Sequence, residues 1–158
     1  MIKKNLTLIS ILTLILLILA SAFVIEYAMG YKPCKLCIYE RIPYFLSILL
    51  IFQILLIKKF EKISLLLLSL VFVVSFVLAF YHFGIEQGFF QESIACTTNG
   101  LSNELTKEQI LEKLKQNNIS CKDVSFKFLG LSLAAINSIF SIALSVIFVR
   151  LFINYGKN

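Results

Sequence analysis

The chain has 158 residues, of which 59% are hydrophobic and 15% charged, with a mean hydropathy of +0.89 and a formal net charge of +6. A soluble domain is nearer to about half apolar and about a quarter charged, so this composition argues against a water-soluble domain and predicts a membrane protein. The basic residues form no soluble patch interleaved with aromatic side chains, which argues against nucleic-acid binding. A chain this short is expected to form a single domain.

Four apolar stretches predict four membrane-spanning helices, and therefore an all-α bundle embedded in a membrane. The first stretch, 5–25, has no Asp, Glu, Lys or Arg for 21 residues, which is enough to cross about 30 Å of hydrocarbon as a helix. Lys3 and Lys4 before it would also suit a signal peptide. The apolar run is longer than a signal core and three spans follow, so an uncleaved helix is expected.

The second stretch is short and has charged residues at its beginning. Residues 42–57 give only 16 uncharged positions, whereas a span needs roughly 20, so the helix is expected to begin near Cys37 or Ile38 and to include Glu40 and Arg41. The third and fourth stretches contain 23 and 22 uncharged residues. The four predicted spans cover about 6–27, 38–57, 63–83 and 128–150.

Four spans place both termini on one side of the membrane and two larger loops, about 28–37 and 84–127, on the other. The side with the termini carries seven basic residues and one acidic residue, including three lysines within 58–62. This density of lysine favours a cytoplasmic location for that side, with the two larger loops periplasmic.

The long loop is predicted to contain one short helix, at about 107–116. Thr106 and Gln109 have the spacing of a capping box, and Asn117-Asn118 supplies a stop. The apolar residues between them form a narrow face, which would suit either a helix lying on the membrane surface or an ordinary solvated helix.

All four cysteines, Cys34, Cys37, Cys96 and Cys121, fall on the side of the two larger loops. If that side is periplasmic, they face an oxidising compartment, where paired cysteines usually mean disulfides. A structural zinc site needs four thiolate or imidazole ligands, often as two close pairs. The chain has one close cysteine pair and one histidine, so no metal site is expected.

The Cys34-x-x-Cys37 pair suits redox chemistry better than structural bridging. Its disulfide would close a tiny loop and restrict the unfolded chain very little. At a helix N-terminus the dipole favours a thiolate, and Arg41, one turn after Cys37, would add a positive charge on the same face. A lowered thiol pKa gives a good leaving group. The rival interpretation is a non-enzymatic membrane scaffold with two structural disulfides.

Two outward cysteine pairs on one small bundle suggest an electron relay. Cys96 and Cys121, on a soluble loop, could reach a water-soluble protein, whereas Cys34 and Cys37, at the membrane boundary, could reach a molecule dissolved in lipid. A quinone accepts two electrons, which matches the stoichiometry of a dithiol. The chain has no Gly-rich flavin fingerprint and no Cys-x-x-Cys-His haem motif.

The candidate quinone contacts are Arg41 and His82, which are predicted to lie at a similar depth. Each could donate a hydrogen bond to a quinone oxygen and stabilise the anion formed on reduction. Each could instead be a boundary anchor. Glu26 and Glu86 are interpreted as membrane-interface residues, and Asn137, deep in the fourth span, is expected to hydrogen-bond between helices.

The chain resembles a known family in several runs. These are KPCKLCIYER at 32–41, YHFGIEQGFF at 81–90, the separated cysteines of the long loop, and FLGLSLAAINSIF at 128–140. Together they resemble the disulfide-bond formation protein B (DsbB) family, quinone-dependent thiol oxidases of bacterial inner membranes. The vitamin K epoxide reductases place the loop pair before the Cys-x-x-Cys, an order that this chain does not have.

The resemblance implies a mechanism, a partner and a cofactor. A periplasmic thioredoxin-fold oxidant similar to DsbA would be the partner, and Cys96 would form the mixed disulfide with it. Cys121 would then exchange with Cys34, leaving Cys37 as the thiolate that faces ubiquinone or menaquinone. Arg41 matches the arginine on the quinone side of the family's site. The expected protein is a monomeric multi-pass enzyme of the bacterial inner membrane.

Overall fold

Helices make up most of the described chain. The computed structural model describes residues 2–57, 60–91, 120–122, 126–128 and 130–155. Within these ranges the chain forms five α-helices and a two-stranded hairpin. In chain order the elements are α1 (Ile2–Phe23), a π-helical turn (Val24–Ala28), α2 (Lys35–Tyr39), α3 (Ile42–Leu56), α4 (Glu61–Glu86), β1 (Lys127–Phe128), β2 (Leu131–Ser132) and α5 (Leu133–Ile153).

Four stretches are long and apolar enough to cross a membrane, in agreement with the predicted four-helix bundle. Their outward faces carry large exposed apolar side chains, for example those of Leu49, Val74 and Ile139. Such a surface is unfavourable in water and matches hydrocarbon. The four stretches are Asn5–Ala28, Lys35–Leu56, Glu61–Glu86 and Leu133–Ile153.

The core of the bundle lies where α4 packs along α5, with α3 against α4 and α1 against α3. The Phe72 and Phe148 rings stack with their centroids 5.6 Å apart, and the Tyr44 ring meets Phe72 edge-on at 5.8 Å. Small polar residues let α4 and α5 approach closely, and Ser75 hydrogen-bonds to Ser141 across them at 2.9 Å. The bundle therefore combines aromatic packing with short interhelical hydrogen bonds.

The second span is broken, which the sequence analysis did not expect. The predicted continuous helix is replaced by α2 and α3, with Glu40 and Arg41 between them. Pro43 is the second residue of α3, where its missing N–H needs no partner, so it begins the helix and does not kink it. Because of the break, Glu40 is buried in the bundle, at 8% exposure, and Arg41 turns toward the end of α1.

A hairpin precedes the last helix, so α5 begins later than the predicted start at 128. β1 and β2 pair antiparallel around Gly130, whose φ of 82° is readily available to glycine. Ser132 then caps α5, its hydroxyl oxygen accepting from the Ala135 N–H at 3.2 Å. The predicted loop helix at 107–116 lies outside the described residues.

Candidate functional site

Cys34 is the N-cap residue of α2. Its sulfur accepts a hydrogen bond from the Cys37 backbone N–H at 3.2 Å. The side chain that normally caps a helix N-terminus has an oxygen acceptor. A sulfur is a weaker acceptor, and the helix dipole stabilises it most when it is a negatively charged thiolate. The Cys34 side chain is buried at the end of the bundle where α4 ends and α5 begins, which we call the cysteine end.

The pKa of Cys34 is lowered to about 5, chiefly by a hydrogen bond from the Cys37 side chain. Burial opposes this shift, while His82 contributes a hydrogen bond and a favourable charge in the same direction. His82 Nε2 lies 3.5 Å from the Cys34 sulfur. The neighbouring group that helps to lower the pKa of Cys34 is His82 from α4, and not Arg41 as expected.

His82 is held by a buried polar network. Its Nδ1 lies 2.7 Å from Oε1 of Glu40, and the other Glu40 oxygen accepts from the Asn137 amide, also at 2.7 Å. Tyr44 donates its hydroxyl proton to the Asn137 carbonyl oxygen. The expected interhelical role of Asn137 is confirmed, and the network joins the α2–α3 break to α4 and α5.

Glu86 also belongs to this buried group, so its interpretation as an interface residue was wrong. Its side chain is 6% exposed and Oε1 lies 3.8 Å from His82 Nε2. Within the described part of the chain, Glu86 Oε2 is buried and has no hydrogen-bond partner. A carboxylate oxygen in this state is costly unless something else uses it.

Arg41 is bound by the end of the first span. Its Nη1 donates to Oε2 of Glu26 at 2.5 Å, and its guanidinium lies 5.0 Å from the Phe23 ring centroid. Glu26 belongs to the π-helical turn at Val24–Ala28, and such turns are often found at functional sites. Glu26 is therefore the ion-pair partner of Arg41 and not a simple interface residue.

Cys121 lies in the same buried cluster as Cys34, together with Leu36 and Ile85. It is disulfide-bonded, and because Cys34 and Cys37 are free thiols, its partner lies outside the described residues. Cys96 also lies outside them. Although Cys121 is remote from Cys34 in sequence, the structure brings these two cysteines together.

The structure gathers three predicted site residues at one point. The Cys34 and Cys37 sulfurs and one ring nitrogen of His82 all lie within 4.8 Å of one another. Sequence analysis missed Glu40 and Glu86, although both fall inside spanning stretches. An ionisable residue inside a span is by default a functional candidate, and that signal would have found them.

Replacing Asn137 by leucine is expected to destabilise the bundle by about 1–2 kcal/mol, because Glu40 and Tyr44 would both lose a buried partner. Reversible denaturation in detergent would measure this change in the free energy of unfolding. Ser145→Ala on the same helix is the matched control, since it removes only a 3.5 Å contact to a backbone carbonyl. Equal effects of the two substitutions would contradict a special role for Asn137.

Two comparisons with known proteins place the chain in a family. The family model of disulfide bond formation protein DsbB matches residues 4–151. An uncharacterized protein of Rickettsia prowazekii (strain Madrid E), RP370, is 32% identical over 153 residues, which covers 94% of this chain and 87% of the relative. The buried Cys-x-x-Cys at the cysteine end, close to a third cysteine from the long loop, agrees with that match. The chain therefore belongs to the DsbB family, and is a multi-pass membrane protein of disulfide-bond formation.

Proposed function

We propose that the protein is a quinone-dependent thiol oxidase that reoxidises a periplasmic thioredoxin-fold partner similar to DsbA. The observation that carries this proposal is the common burial of Cys121 and Cys34, because contact between the two pairs is what an electron relay requires. We further propose that both termini are cytoplasmic, so that the cysteine end faces the periplasm of an inner membrane.

The proposed relay consists of thiol–disulfide exchanges that conserve electrons. A partner thiolate attacks Cys96, breaking the Cys96–Cys121 bond, and the released Cys121 thiolate attacks Cys34, breaking the Cys34–Cys37 bond. The partner's second thiol then displaces Cys96 as the partner's own disulfide forms. Cys96 attacks Cys121, with Cys34 leaving as thiolate. The partner has then lost two electrons, which Cys34 and Cys37 hold as a dithiol.

The low pKa of Cys34 favours the last of these exchanges. A sulfur with a lower pKa leaves faster from a disulfide, and the α2 N-terminus and His82 both stabilise Cys34 as a thiolate. A DsbA-like partner has a reduction potential of about −120 mV. A structural disulfide with a reduction potential below about −300 mV could not reoxidise it, because the reaction would be unfavourable by about 8 kcal/mol. Easily reduced disulfides are therefore needed.

We propose that Arg41 holds the quinone. A bound ubiquinone or menaquinone would supply the two-electron acceptor. The donor set suits a quinone oxygen, since a guanidinium has five N–H donors and the bond to Glu26 engages Nη1. The Phe23 ring beside the guanidinium adds an apolar, aromatic surface.

We assign His82 to proton handling at the thiols, and its contact with a quinone stays a prediction. Nε2 faces the Cys34 sulfur and Nδ1 faces Glu40. A nucleophile, an imidazole and a carboxylate in this order form the arrangement in which the imidazole exchanges a proton with the nucleophile and the carboxylate orients it. Glu40 is thus proposed as the residue that fixes the ring.

The direct test is turnover with purified protein. A reduced thioredoxin-fold partner and ubiquinone or menaquinone should give loss of quinone absorbance, together with partner disulfide in a ratio of one to one. No quinone consumption with several partners would refute the proposal. Thiol trapping in cells depleted of quinone distinguishes the scaffold alternative, in which all four cysteines stay oxidised.

Arg41→Leu is expected to raise the KM for quinone at least tenfold, because it removes the charged donor proposed to bind the quinone oxygen. Oxidation of a single equivalent of partner should be unchanged, since the thiol–disulfide exchanges of that step do not involve Arg41. Glu26→Gln keeps the size of the side chain but removes its charge, and should raise KM by a smaller factor. Wild-type behaviour of Arg41→Leu at limiting quinone would reduce Arg41 to an anchor.

A further inference from the structure

We propose that the reduced protein binds a zinc-class metal ion through Cys34, Cys37 and His82. Their three donor atoms lie within 4.8 Å of one another, and two thiolates with one imidazole are a donor set that Zn²⁺ prefers. A structural zinc site is not expected from the sequence, because the chain lacks a second close cysteine pair. The site proposed here is different, since it uses three donors and exists only in the dithiol.

The distances suit a tetrahedral ion. With Zn–S bonds of about 2.3 Å and a Zn–N bond of about 2.0–2.1 Å, tetrahedral angles hold sulfur and nitrogen about 3.6 Å apart and two sulfurs about 3.8 Å apart. The Cys34 sulfur lies 3.5 Å from His82 Nε2. Because no pair among the three donors exceeds 4.8 Å, closure around an ion needs movements of at most about 1 Å.

The imidazole is already oriented as a metal ligand. Glu40 Oε1 lies 2.7 Å from Nδ1 of His82, and Asn137 holds the other Glu40 oxygen. Metal-binding histidines nearly always give their second ring N–H to a carboxylate or carbonyl, which leaves the other nitrogen available for the ion. The buried network therefore presents Nε2 toward the two sulfurs.

Glu86 would supply the fourth ligand after moving toward the ion, since its carboxylate lies outside the group of donors within 4.8 Å of one another. Oε1 of Glu86 is 3.8 Å from His82 Nε2. Its Oε2 is buried and has no hydrogen-bond partner among the described residues. A carboxylate oxygen is an ordinary zinc ligand, and a bound ion would remove the cost of this unsatisfied atom.

Binding at this site would depend on the redox state of the protein. The ion needs both sulfurs as thiolates and releases any protons that the thiols and imidazole carry. A Cys34–Cys37 disulfide offers neither thiolate, so the oxidised protein should not bind. A metal ion held by the dithiol blocks both sulfurs, and zinc should therefore inhibit any reaction that regenerates the disulfide.

The test uses the Cys96→Ser/Cys121→Ser variant, so that Cys34 and Cys37 are the only thiols. Reduced protein in detergent should bind one Cd²⁺ per chain, with a thiolate-to-cadmium absorption band, and Zn²⁺ in competition with a chromophoric chelator. His82→Gln should weaken binding at least tenfold and Glu86→Gln should weaken it severalfold, while Tyr39→Phe, an exposed change on α2, should not.

Equal binding by the oxidised protein would overturn the proposal, and so would an unchanged affinity in His82→Gln with its helical circular dichroism intact. An unchanged affinity in Glu86→Gln would overturn the assignment of the fourth ligand. The assay contains neither quinone nor partner, so its outcome is independent of whether the protein is a quinone-dependent oxidase.

Discussion

Replacing Cys37 by serine is expected to abolish quinone consumption and to trap a disulfide between Cys34 and Cys121. In the proposed relay, Cys121 attacks Cys34 and Cys37 is the sulfur displaced. In a Cys37→Ser protein the Cys34 thiolate can attack Cys121, breaking the Cys96–Cys121 bond and releasing Cys96 as a thiolate, because Cys34 and Cys121 share one buried cluster. No neighbouring thiol remains on α2 to displace Cys121 and complete the transfer.

Peptide mapping under non-reducing conditions would identify the trapped bond, and quinone absorbance would measure turnover. Cys34→Ser is the matched control, since it should lose turnover to the same extent without any trapped bond to Cys121. Cys34→Ser, which keeps the Cys96–Cys121 disulfide, should still oxidise one equivalent of partner through the loop pair. A Cys37–Cys121 bond in Cys34→Ser, formed as readily as the bond in Cys37→Ser, would contradict the assigned order.

Replacing His82 by phenylalanine is expected to raise the pKa of Cys34, so that the thiolate becomes protonated at a higher pH than in the wild type. The pKa of Cys34, about 5, lies below its ordinary value, so the thiolate is favoured at neutral pH and is lost only as pH falls through that value. His82 contributes a hydrogen bond and a charge to this shift. Their removal raises the pKa and lowers the thiolate fraction at pH 7.

The size of the effect is bounded. A thiol with the ordinary pKa of 9.0 is about 1% thiolate at pH 7, so loss of the whole shift would lower the thiolate fraction about 100-fold. The Cys37 hydrogen bond remains and is the largest cause of the shift, so a loss of about threefold to tenfold is expected. Above about pH 9.5 wild type and variant should react equally, because both are thiolates.

The rate of alkylation by iodoacetamide across pH 4–10, in the Cys96→Ser/Cys121→Ser background with a chelator present, would measure this shift. Glu40→Gln is an informative companion, since it keeps a hydrogen-bonding group beside His82 Nδ1 but removes the negative charge. It should shift the profile in the same direction and by less. Coincident profiles for wild type and His82→Phe would show that His82 does not support the thiolate.

The four-helix architecture was predictable because length and hydropathy suffice for it. The place of the Cys-x-x-Cys pair at a helix start was equally predictable, and Cys34 does cap α2. Hydropathy could not give the break between α2 and α3. Hydropathy is averaged over the whole span, whereas the break depends on which residues bind the two charged side chains, Glu40 and Arg41.

The acidic residues were misjudged for a related reason. Glu26 and Glu86 lie near the ends of their spans, where position alone suits an interface residue. Glu26 pairs with Arg41 on another element, whereas the neighbour of Glu86, His82, lies one turn earlier on the same helix, α4. The Glu26–Arg41 contact joins residues 15 apart on different elements and leaves no local pattern in the sequence. The i,i+4 spacing of His82 and Glu86 was visible, but spacing alone does not show that the Glu86 side chain is buried.

The break between α2 and α3 also bears on how the chain enters the bilayer. The Lys35–Leu56 span has a mean hydropathy of 1.5, the lowest of the four, and charged residues raise the cost of insertion. Arg41 finds its counterion in Glu26, on a helix that is synthesised earlier. The partners of Glu40 are on α4 and α5, which are made later. Arg41 can thus be neutralised as its own segment inserts. Glu40 must await the last helix, so the buried network around His82 is completed only when all four spans have been made.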